Sequence, residues 1–316
     1  MPFQKILFTD IDGTLVDINT AEYGKETNKL IKIIKEKNIP LILTSAKTRL
    51  EQNKIREDLG LSDPFIVENG GAIVIPKGYF PDNALRNIGY LLRETQENEN
   101  DTRDNASDNA RYVDHTTVVI IELGKSADYV RAKLSNIRKR YNISFRGVAD
   151  ISIEELSNFT SISKEQARRM AQRDYGETIL QIQNEDIARF IKYVQEEGMK
   201  VIHGGRFFDV TVGTDKGIAV GILKKLFKDK FHNNVTFFGI GDSTNDIPML
   251  NLMDIPILVQ RQDSSWINYS GIKVKNATSV GSSNSSISSS NNVIKIKGIG
   301  PSGWENAIRK IILELN

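Results

Sequence analysis

Short apolar runs alternate with amphipathic stretches over the first part of the chain. Ile6–Phe8, Leu41–Leu43 and Pro64–Val67 form such runs, and each ends at polar or glycine-containing residues, as buried strands do. Between the runs, apolar side chains recur at helical spacing in the regions 30–34 and 55–59. Strands that alternate with helices predict βαβ units and a parallel sheet.

The same alternation resumes at residue 213. We predict a helix over 216–229, a buried strand over Val235–Phe238, and a last helix after Gly298–Gly303. The region between the two alternating parts carries elements of its own. They are a strand at Thr116–Leu123, helix starts marked by the capping-box pairs Ser152 with Glu155 and Ser163 with Gln166, and a strand pair at Met199–His203 and Phe207–Val212.

These patterns predict an α/β fold with two domains. Residues 1–80 and 213–316 form a discontinuous parallel-sheet core, and residues 81–212 form an inserted α/β domain. Residues 93–111 contain no Leu, Ile, Val, Phe, Met or Tyr, which predicts a mobile polar insertion. Residues 276–292 are mostly Ser and Asn, which predicts a flexible loop. We assign no role to either segment.

Composition narrows the classes of function. The 316 residues carry 42 Lys+Arg and 40 Asp+Glu, a net charge of +2, without the basic bias of a general nucleic-acid or anionic-membrane binder. The absence of cysteine excludes disulfides, thiolate metal sites and a cysteine nucleophile. Because no run reaches the roughly 18 apolar residues of a membrane helix and residues 1–9 lack a signal-peptide pattern, we expect a cytoplasmic protein.

Two carboxylates follow the first predicted strand. Asp10 and Asp12 lie two positions apart, so on an extended backbone they point to the same side. Such a pair repels unless a cation lies between its members, and Mg²⁺ suits few carboxylate ligands with phosphate as a co-ligand. For this motif alone, an acidic turn without a ligand is the alternative.

A second acidic segment follows the strand 235–238. Asp242 lies at the strand end and Asp246 one helical turn later, which strengthens the metal-site hypothesis. The segment also contains Gly239 and Gly241, which begin a dinucleotide fingerprint. Thr244 replaces its third glycine, however, and carboxylates stand where a pyrophosphate needs donors. A helix-capping loop is the remaining alternative.

Two further residues are candidates for contacts with phosphate. Ser45 closes the second strand, where its hydroxyl can either bind a phosphoryl oxygen or cap the next helix. Lys216 begins a helix, where a cation opposes the helix dipole. That position favours binding of an anion, and a solvated surface lysine is the alternative.

Together these motifs resemble the haloacid dehalogenase superfamily of phosphohydrolases. The matching pieces are Asp10–Thr14, Ser45, Lys216, and Gly241-Asp242 with Asp246. The resemblance implies a Rossmann-like core, and the inserted domain resembles the larger α/β cap of the sugar-phosphatase branch.

A narrower resemblance, to phosphatases of mannosyl-3-phosphoglycerate, covers most of the chain. It is carried by the segments 45–49, 68–73, 76–80, 173–178, 205–208, 241–249 and 300–304. Residue 176 is Gly where Ser or Asp is commoner in that family. The resemblance implies a phosphomonoesterase whose substrate is a phosphorylated glycoside of glycerate and whose product is a compatible solute.

The resemblance also implies roles for individual residues. Asp10 is the nucleophile that forms an aspartyl-phosphate, and Asp12 is the general acid and base whose backbone carbonyl ligates Mg²⁺. Asp242 is a direct metal ligand, while Asp246 ligates or orients through water. Ser45 and Lys216 grip the phosphoryl oxygens, and Ser243 and Asn245 support the metal site.

The substrate of this family carries a second anion, the glycerate carboxylate. Arginine meets a carboxylate in a bidentate way, so Arg49, Arg173 and Arg206 are candidate ligands, with Lys47 as a point charge. We expect Glu68, Asn69 and Glu177 to reach sugar hydroxyls. For any one of the arginines, a solvated surface charge is the alternative.

Several alternatives stay open. One epimeric hydroxyl separates mannose from glucose, so a phosphatase of glucosyl-3-phosphoglycerate or another sugar phosphate is the nearest, followed by a phosphomutase. A non-catalytic sugar-phosphate sensor is a different class, which the intact pair of Asp10 and Asp12 argues against. A structural protein and a nucleic-acid binder fit the sequence less well, and the sequence leaves open whether the chain forms a homo-oligomer.

Overall fold

A computed structural model describes residues 3–96, 117–268 and 293–314. Within these ranges the strands β1 to β13 span, in chain order, Gln4–Thr9, Leu41–Leu43, Phe65–Val67, Ala72–Pro76, Leu92–Gln96, Thr117–Glu122, Phe145–Gly147, Glu177–Ile182, Lys200–His203, Phe208–Thr211, Val235–Gly241, Ile255–Gln260 and Ile294–Ile299. The helices α1 to α10 span Thr27–Glu36, Arg49–Leu59, Asp82–Arg86, Ala127–Tyr141, Ile153–Thr160, Lys164–Ala171, Ile187–Glu196, Lys216–Lys230, Ile247–Leu250 and Pro301–Leu313.

The chain divides into two compact units. Unit 1 comprises Met1–Thr44 and Lys216–Asn316, and unit 2 comprises Ser45–Asp215. Unit 2 thus includes β3 and α2, which precede residue 80.

Unit 1 is built on one five-stranded sheet in the order β13-β12-β11-β1-β2. All four strand pairs are parallel, which confirms the prediction of a parallel-sheet α/β core. The central strands β1 and β11 pair Thr9 with Ile240. Because parallel strands end at the same edge, the residues that follow β1 and β11 are neighbours there.

The core of unit 1 lies between this sheet and its helices. Phe8, Phe237 and Trp304 are buried in it, as are Ile308 and Ile311 of α10. The predicted last helix is therefore confirmed, and its apolar stripe is the face that packs on the sheet.

Unit 2 contains two antiparallel sheets, in the orders β3-β4-β6-β5 and β7-β8-β10-β9. The second sheet packs on α4 and α7 through residues such as Leu134, Ile179 and Phe190. The predicted strand pair around Gly204-Gly205 is present as β9 and β10. Both predicted capping boxes, at Ser152 and Ser163, are also present.

The expectation that the third apolar run belongs to the parallel sheet is wrong. β3 pairs antiparallel with β4, with Ile66 opposite Ile73. The reason lies in the turn Glu68–Gly70, where three consecutive residues have φ angles of 48°, 54° and 94°. This left-handed turn reverses the chain within a few residues, so the next strand returns beside β3 instead of crossing over through a helix.

The two polar segments fall mostly outside the described residues. The first four residues of the predicted insertion, 93–96, belong to β5, which pairs with β6 at the edge of its sheet. Residues 97–111 and the Ser/Asn-rich segment 276–292 lie outside the described ranges. Among the described helices, none combines the length and the apolar character that a membrane span requires.

Candidate active site

Asp10 stands immediately after β1, at the carboxyl edge of the sheet of unit 1. Its backbone N–H donates to the carbonyl of Ile240 in β11 at 2.9 Å, and its side chain is buried. Asp12 is half-buried two residues later. The chain then turns at Gly13, which has a φ of +79°, and a Cβ there would lie 2.9 Å from Oδ2 of Asp242. Glycine is therefore needed for both the turn and the close approach to Asp242.

Lys216 joins two of the predicted carboxylates. Its Nζ donates to Oδ1 of Asp10 at 2.6 Å and to Oδ1 of Asp246 at 2.7 Å. It is the first residue of α8 and only 1% exposed, so the alternative of a solvated surface lysine is wrong. Such short, charge-assisted hydrogen bonds fix the direction of both carboxylates.

Asp246 organises the turn that follows β11. Its Oδ2 accepts the backbone N–H groups of Asp242 and Ser243, both at 3.1 Å, and the Ser243 hydroxyl at 3.4 Å. The Ser243 hydroxyl also lies 2.5 Å from Oδ1 of Asn245. Both Asp246 oxygens therefore already accept hydrogen bonds, which suits a residue that shapes the loop.

Asp242 is positioned by a residue that the sequence analysis did not select. The hydroxyl of Thr14 donates to Oδ1 of Asp242 at 3.1 Å, across 228 residues of sequence. The only indication in the sequence was that Thr14 belongs to the first acidic motif. From that position its hydroxyl can reach the residue that follows β11.

The charges of the cluster are mutually dependent. Burial, and then the neighbouring charge of Asp246, raise the pKa of Asp10 well above its ordinary value. The same two causes raise the pKa of Asp242 to about 7. Burial alone would lower the pKa of Lys216, but the carboxylates of Asp10 and Asp246 outweigh it and raise that pKa. The lysine thus remains a cation among an excess of carboxylates.

This excess fits a metal ion. Asp10, Asp242 and Asp246 each offer a carboxylate oxygen, and these oxygens lie within 4.8 Å of one another. An all-oxygen donor set of buried carboxylates is the kind that hard divalent cations prefer. The loop hydrogen bonds of Asp246 make Asp10 and Asp242 the more available donors.

The other predicted site residues belong to unit 2. Ser45 is buried there, and its hydroxyl accepts the backbone N–H of Lys47 at 3.3 Å. The Nζ of Lys47 lies 3.6 Å from Oε1 of Glu51. Arg49 is the first residue of α2 and is also buried.

Glu68 and Arg173 lie next to each other in the interior of unit 2. Nε of Arg173 lies 3.5 Å from Oε2 of Glu68. The Glu68 carboxylate also accepts the backbone N–H groups of Asp174 at 2.9 Å and Tyr175 at 3.0 Å. Burial nevertheless raises the pKa of Glu68 to about 8. In this arrangement the carboxylate ties the turn after β3 to the segment 173–175.

Asp209 extends this network. It accepts from Nδ2 of Asn69 at 3.0 Å and from the hydroxyl of Thr178 at 2.5 Å, and Nη2 of Arg173 lies 3.8 Å away. Asp209 is not among the site residues predicted from the sequence. In the alternation of the predicted strand, Asp209 lies on the face opposite to Phe208 and Val210, so the strand pattern does not indicate that it is buried.

The last two predicted ligands differ in burial. Glu177 is buried, and it accepts Nε of Arg131 at 2.5 Å and the backbone N–H of Ala149 at 3.2 Å. Arg206 is exposed, and its guanidinium lies 5.4 Å from the ring centroid of Phe207. Arg206 is therefore more accessible than Arg173, whose guanidinium is enclosed by carboxylates and the carbonyl of Ala46.

The sequence matches a family of hydrolases and curated phosphatases within it. A family model described as haloacid dehalogenase-like hydrolase matches residues 7–279. A curated glucosyl-3-phosphoglycerate/mannosyl-3-phosphoglycerate phosphatase of Persephonella marina is 32% identical over 98% of this chain and 98% of its own length. A mannosyl-3-phosphoglycerate phosphatase of Pyrococcus horikoshii is 30% identical over 81% of this chain and 90% of its own.

Solved structures share the fold at low sequence identity. A protein of Thermoplasma acidophilum aligns with a TM-score of 0.52 at 19% identity, covering 81% of this chain and 85% of that protein. At that identity the likeness bears on the fold alone.

Proposed function

Since this chain belongs to the haloacid dehalogenase-like hydrolase family, we propose that it hydrolyses mannosyl-3-phosphoglycerate to mannosylglycerate and inorganic phosphate. The observation that carries the proposal is the buried cluster in which Lys216 bridges Asp10 and Asp246 beside Asp242. This cluster lies on a chain with near full-length similarity to phosphatases of that substrate class.

In the first step, an oxygen of the Asp10 carboxylate attacks phosphorus in line. A bond forms between Asp10 and phosphorus, and the bond from phosphorus to the glycerate oxygen breaks. Asp12 gives its proton to that leaving oxygen. The ammonium of Lys216 holds the attacking carboxylate in direction through its 2.6 Å hydrogen bond.

In the second step, water cleaves the aspartyl-phosphate. Asp12 now accepts a proton from the water, whose oxygen attacks phosphorus while the bond to Asp10 breaks. Inorganic phosphate leaves and Asp10 is regenerated as a carboxylate. Asp12 thus acts as acid and then as base, and it ends the cycle with its proton restored.

We propose Mg²⁺ as the metal ion of the site. Asp10 and Asp242 would hold it with carboxylate oxygens, and the backbone carbonyl of Asp12 would be a further donor, while Asp246 would shape the loop that presents Asp242. When bound, the ion offsets the negative charge of the carboxylates and of the phosphoryl oxygens. That offset keeps Asp10 ionised in spite of the burial that raises its pKa.

In this proposal the residues of unit 2 select the substrate. Arg206 is the preferred partner for the glycerate carboxylate because it is exposed, with Lys47 and Arg49 as further cations. Arg173 contacts both Glu68 and Asp209, and Asn69 also donates to Asp209, so we propose that these residues fix the position of the substrate-binding residues of unit 2. Ser45 is proposed as a phosphoryl contact and Glu177 as a sugar contact, as the family resemblance implies.

Glucosyl-3-phosphoglycerate is the second candidate substrate. Two relatives that align over nearly the whole chain, from Persephonella marina and Methanococcoides burtonii, carry both sugars in their names. Mannose and glucose differ in the configuration of one hydroxyl, which a pocket of modest selectivity accepts in either form.

The test is phosphate release in the presence of Mg²⁺ from mannosyl-3-phosphoglycerate, glucosyl-3-phosphoglycerate, 3-phosphoglycerate and mannose 6-phosphate. We expect strong preference for the two glycosyl compounds and loss of release with a chelator. Equal rates on all four substrates would keep the phosphatase and discard the substrate class. Tight binding without release would replace the enzyme by a sensor.

The variant Asp10→Asn tests the nucleophile. It removes the attacking oxygen anion, and we expect kcat to fall by at least about a thousandfold, because the covalent step is lost. Asp229→Asn makes the same chemical change at an exposed position of α8 and is expected to leave kcat unchanged. An Asp10→Asn protein that is folded and within tenfold of the parent would remove Asp10 from this role.

A further inference from the structure

The segment Gly300–Trp304 is one of the segments that carry the family resemblance, but none of its residues takes part in the proposed reaction. Its backbone is unusual: Gly300 has φ 53° and ψ −125°, a combination that residues with a Cβ avoid. At Gly303 a Cβ would lie 2.3 Å from the carbonyl oxygen of Gly298. The start of α10 is thus packed against the end of β13 too closely for any larger residue.

This packing fixes Trp304, the fourth residue of α10, inside unit 1. The Trp304 side chain is 0% exposed, so its indole N–H needs an acceptor within the protein. It donates from Nε1 to Oγ1 of Thr9 at 3.1 Å. Thr9 is the last residue of β1 and is also fully buried.

The hydroxyl of Thr9 makes a second hydrogen bond, to the residue that follows it. Its Oγ1 donates to the backbone carbonyl oxygen of Asp10 at 2.9 Å. The indole proton therefore occupies a lone pair of the hydroxyl and orients the hydroxyl proton towards Asp10. Two hydrogen bonds in series connect α10 to the peptide group between Asp10 and Ile11.

Asp10 is then held at three points by three different elements. Its N–H donates to Ile240 of β11, its carboxylate accepts from Lys216 of α8, and its carbonyl accepts from Thr9 under the indole of α10. Asp10 lies beyond the end of β1, where the strand no longer determines the plane of the peptide. The third contact is the hydrogen bond that the carbonyl of this peptide accepts from the Thr9 hydroxyl.

We propose that Trp304, acting through the hydroxyl of Thr9, is a positioning residue for Asp10. The role rests on the proposed function of Asp10 as the nucleophile. Rotation of the peptide 10–11 would move both carboxylates of the motif Asp10–Asp12 relative to Lys216. A displacement of about 1 Å at a reacting atom lowers a rate by roughly a hundredfold.

The experiment compares variants that separate hydrogen bonding from packing. Thr9→Val has the shape of threonine without the hydroxyl, and Thr9→Ser keeps the hydroxyl without the methyl group. Trp304→Phe removes the indole N–H. Trp266→Phe is the matched control, because its indole N–H donates to a carbonyl elsewhere in unit 1, that of Ile296 at 3.3 Å.

Turnover is measured on mannosyl-3-phosphoglycerate and, separately, on p-nitrophenyl phosphate. We expect Thr9→Val and Trp304→Phe each to lower kcat by about ten- to a hundredfold with KM within about threefold. Thr9→Ser should retain most of kcat, and Trp266→Phe all of it. The double variant of Trp304→Phe with Thr9→Val should be no slower than the slower single variant by more than about twofold, because both act through one chain of contacts.

If Thr9 acted only through packing of its side chain, the order of kcat for the two Thr9 variants would be reversed. Valine would then be neutral and serine would be harmful, and that result would overturn the inference. A parallel loss of kcat and of melting temperature in every variant, including Thr9→Ser, would overturn it as well. If the parent cleaves only p-nitrophenyl phosphate, the substrate assignment fails while the test of positioning stands. A parent inactive on both substrates overturns the proposed function and this inference together.

Discussion

Lys216 brings one positive charge into a group of three buried carboxylates. Its ammonium lies within 2.7 Å of oxygens of Asp10 and Asp246, and Asp242 shares the cluster. Removing one partner from a buried ion pair leaves the other charge without compensation, which is costly in a medium of low polarity. The stability of unit 1 and its proposed chemistry therefore depend on the same side chain.

We expect Lys216→Met to lose both properties. The variant keeps a long side chain but leaves Asp10 and Asp246 facing each other, so the free energy of unfolding should fall by about 3 kcal/mol. Phosphate release should fall at least about a hundredfold. Lys225→Met, at an exposed position on the same helix, is the control. Chemical denaturation without metal checks the first effect, and an unchanged midpoint for Lys216→Met would contradict it.

Glu68 makes stability depend on pH in a definite direction. Its pKa is about 8 in the folded chain, against an ordinary value of 4.5. Between these values the folded chain keeps a proton that the unfolded chain has released, so the free energy of unfolding falls as the pH rises. This group contributes a slope of up to about 1.4 kcal/mol per pH unit in that window.

The variant Glu68→Gln removes this titration. We expect its free energy of unfolding to change less between pH 5 and pH 8 than that of the parent, and denaturation curves across this range measure the difference. Glu57→Gln, exposed on α2, should keep the parental slope. Parallel slopes for Glu68→Gln and the parent would show that Glu68 is ionised in the folded chain throughout the range.

The residues of the acidic cluster could be selected from the sequence because strand ends reveal them. Asp10 and Asp242 directly follow apolar strands whose carboxyl ends meet at one edge, and the structure brings them together with Lys216 and Asp246. Asp209 and Thr14 could not be found in this way. Each acts through a partner distant in sequence, and neither local spacing nor composition identifies such a partner.

At the scale of elements, the N-cap residue of α2 makes a hydrogen bond to another helix in addition to its capping box. Its N-cap residue Thr48 accepts the backbone N–H of Glu51, and its hydroxyl also donates to the carbonyl of Arg169 in α6 at 2.9 Å. Ser152 caps α5 with the same kind of box but at an exposed position. The Thr48 hydroxyl thus caps its own helix and also binds α6, whereas the Ser152 hydroxyl only caps its own helix.

We expect Thr48→Ala to destabilise unit 2 more than Ser152→Ala does. Loss of a cap alone costs about 1 kcal/mol, and loss of the buried donor to Arg169 adds a further amount of about 1 kcal/mol. Thermal unfolding of the two variants provides the comparison. Equal shifts would mean that the contact between α2 and α6 contributes no net stability.

Helices and strands were predictable where their periodicity is long or their caps are explicit, as in α8, α10 and the helices after Ser152 and Ser163. The partner of a short strand was not. The three apolar residues of β3 are compatible with either a parallel or an antiparallel partner. The chain reversal at Glu68–Gly70, in which the non-glycine residues Glu68 and Asn69 adopt left-handed conformations, makes the pairing antiparallel. Strand β5 was missed because edge strands need no apolar face.

At the scale of the whole molecule, residues near both ends of the described chain meet in unit 1. Nζ of Lys5, in β1, donates to the carbonyl of Ile311 in the last turns of α10 at 2.9 Å. The loop between α8 and β11 is exposed at His232 and Asn233. Proximity of the ends and an exposed loop are the two conditions under which circular permutation is tolerated.

We expect a permutant that starts at Asn233, joins Glu314 to Phe3 through a short glycine-rich linker and ends at His232 to fold. The strands β11, β12 and β13 then precede β1 in sequence, but every pairing of the parallel sheet is retained. Phosphate release within about tenfold of the parent, together with a single thermal transition, would bear this out. An aggregated product would show that the order of the strands, and not only their pairing, is required.

The distance in sequence between Asp10 and Lys216, 206 positions, has a consequence for synthesis on the ribosome. Strand β1 leaves the exit tunnel first and can pair early only with β2, because its other neighbour β11 and the helix that carries Trp304 are translated much later. At about 5–20 residues per second, the apolar segment Ile6–Phe8 waits for many seconds for β11, while Ser45–Asp215 is already complete. The nascent chain therefore exposes one edge of β1 to chaperones for most of its synthesis, and Asp10 can meet Lys216, Asp242 and Asp246 only after residue 246 has been translated.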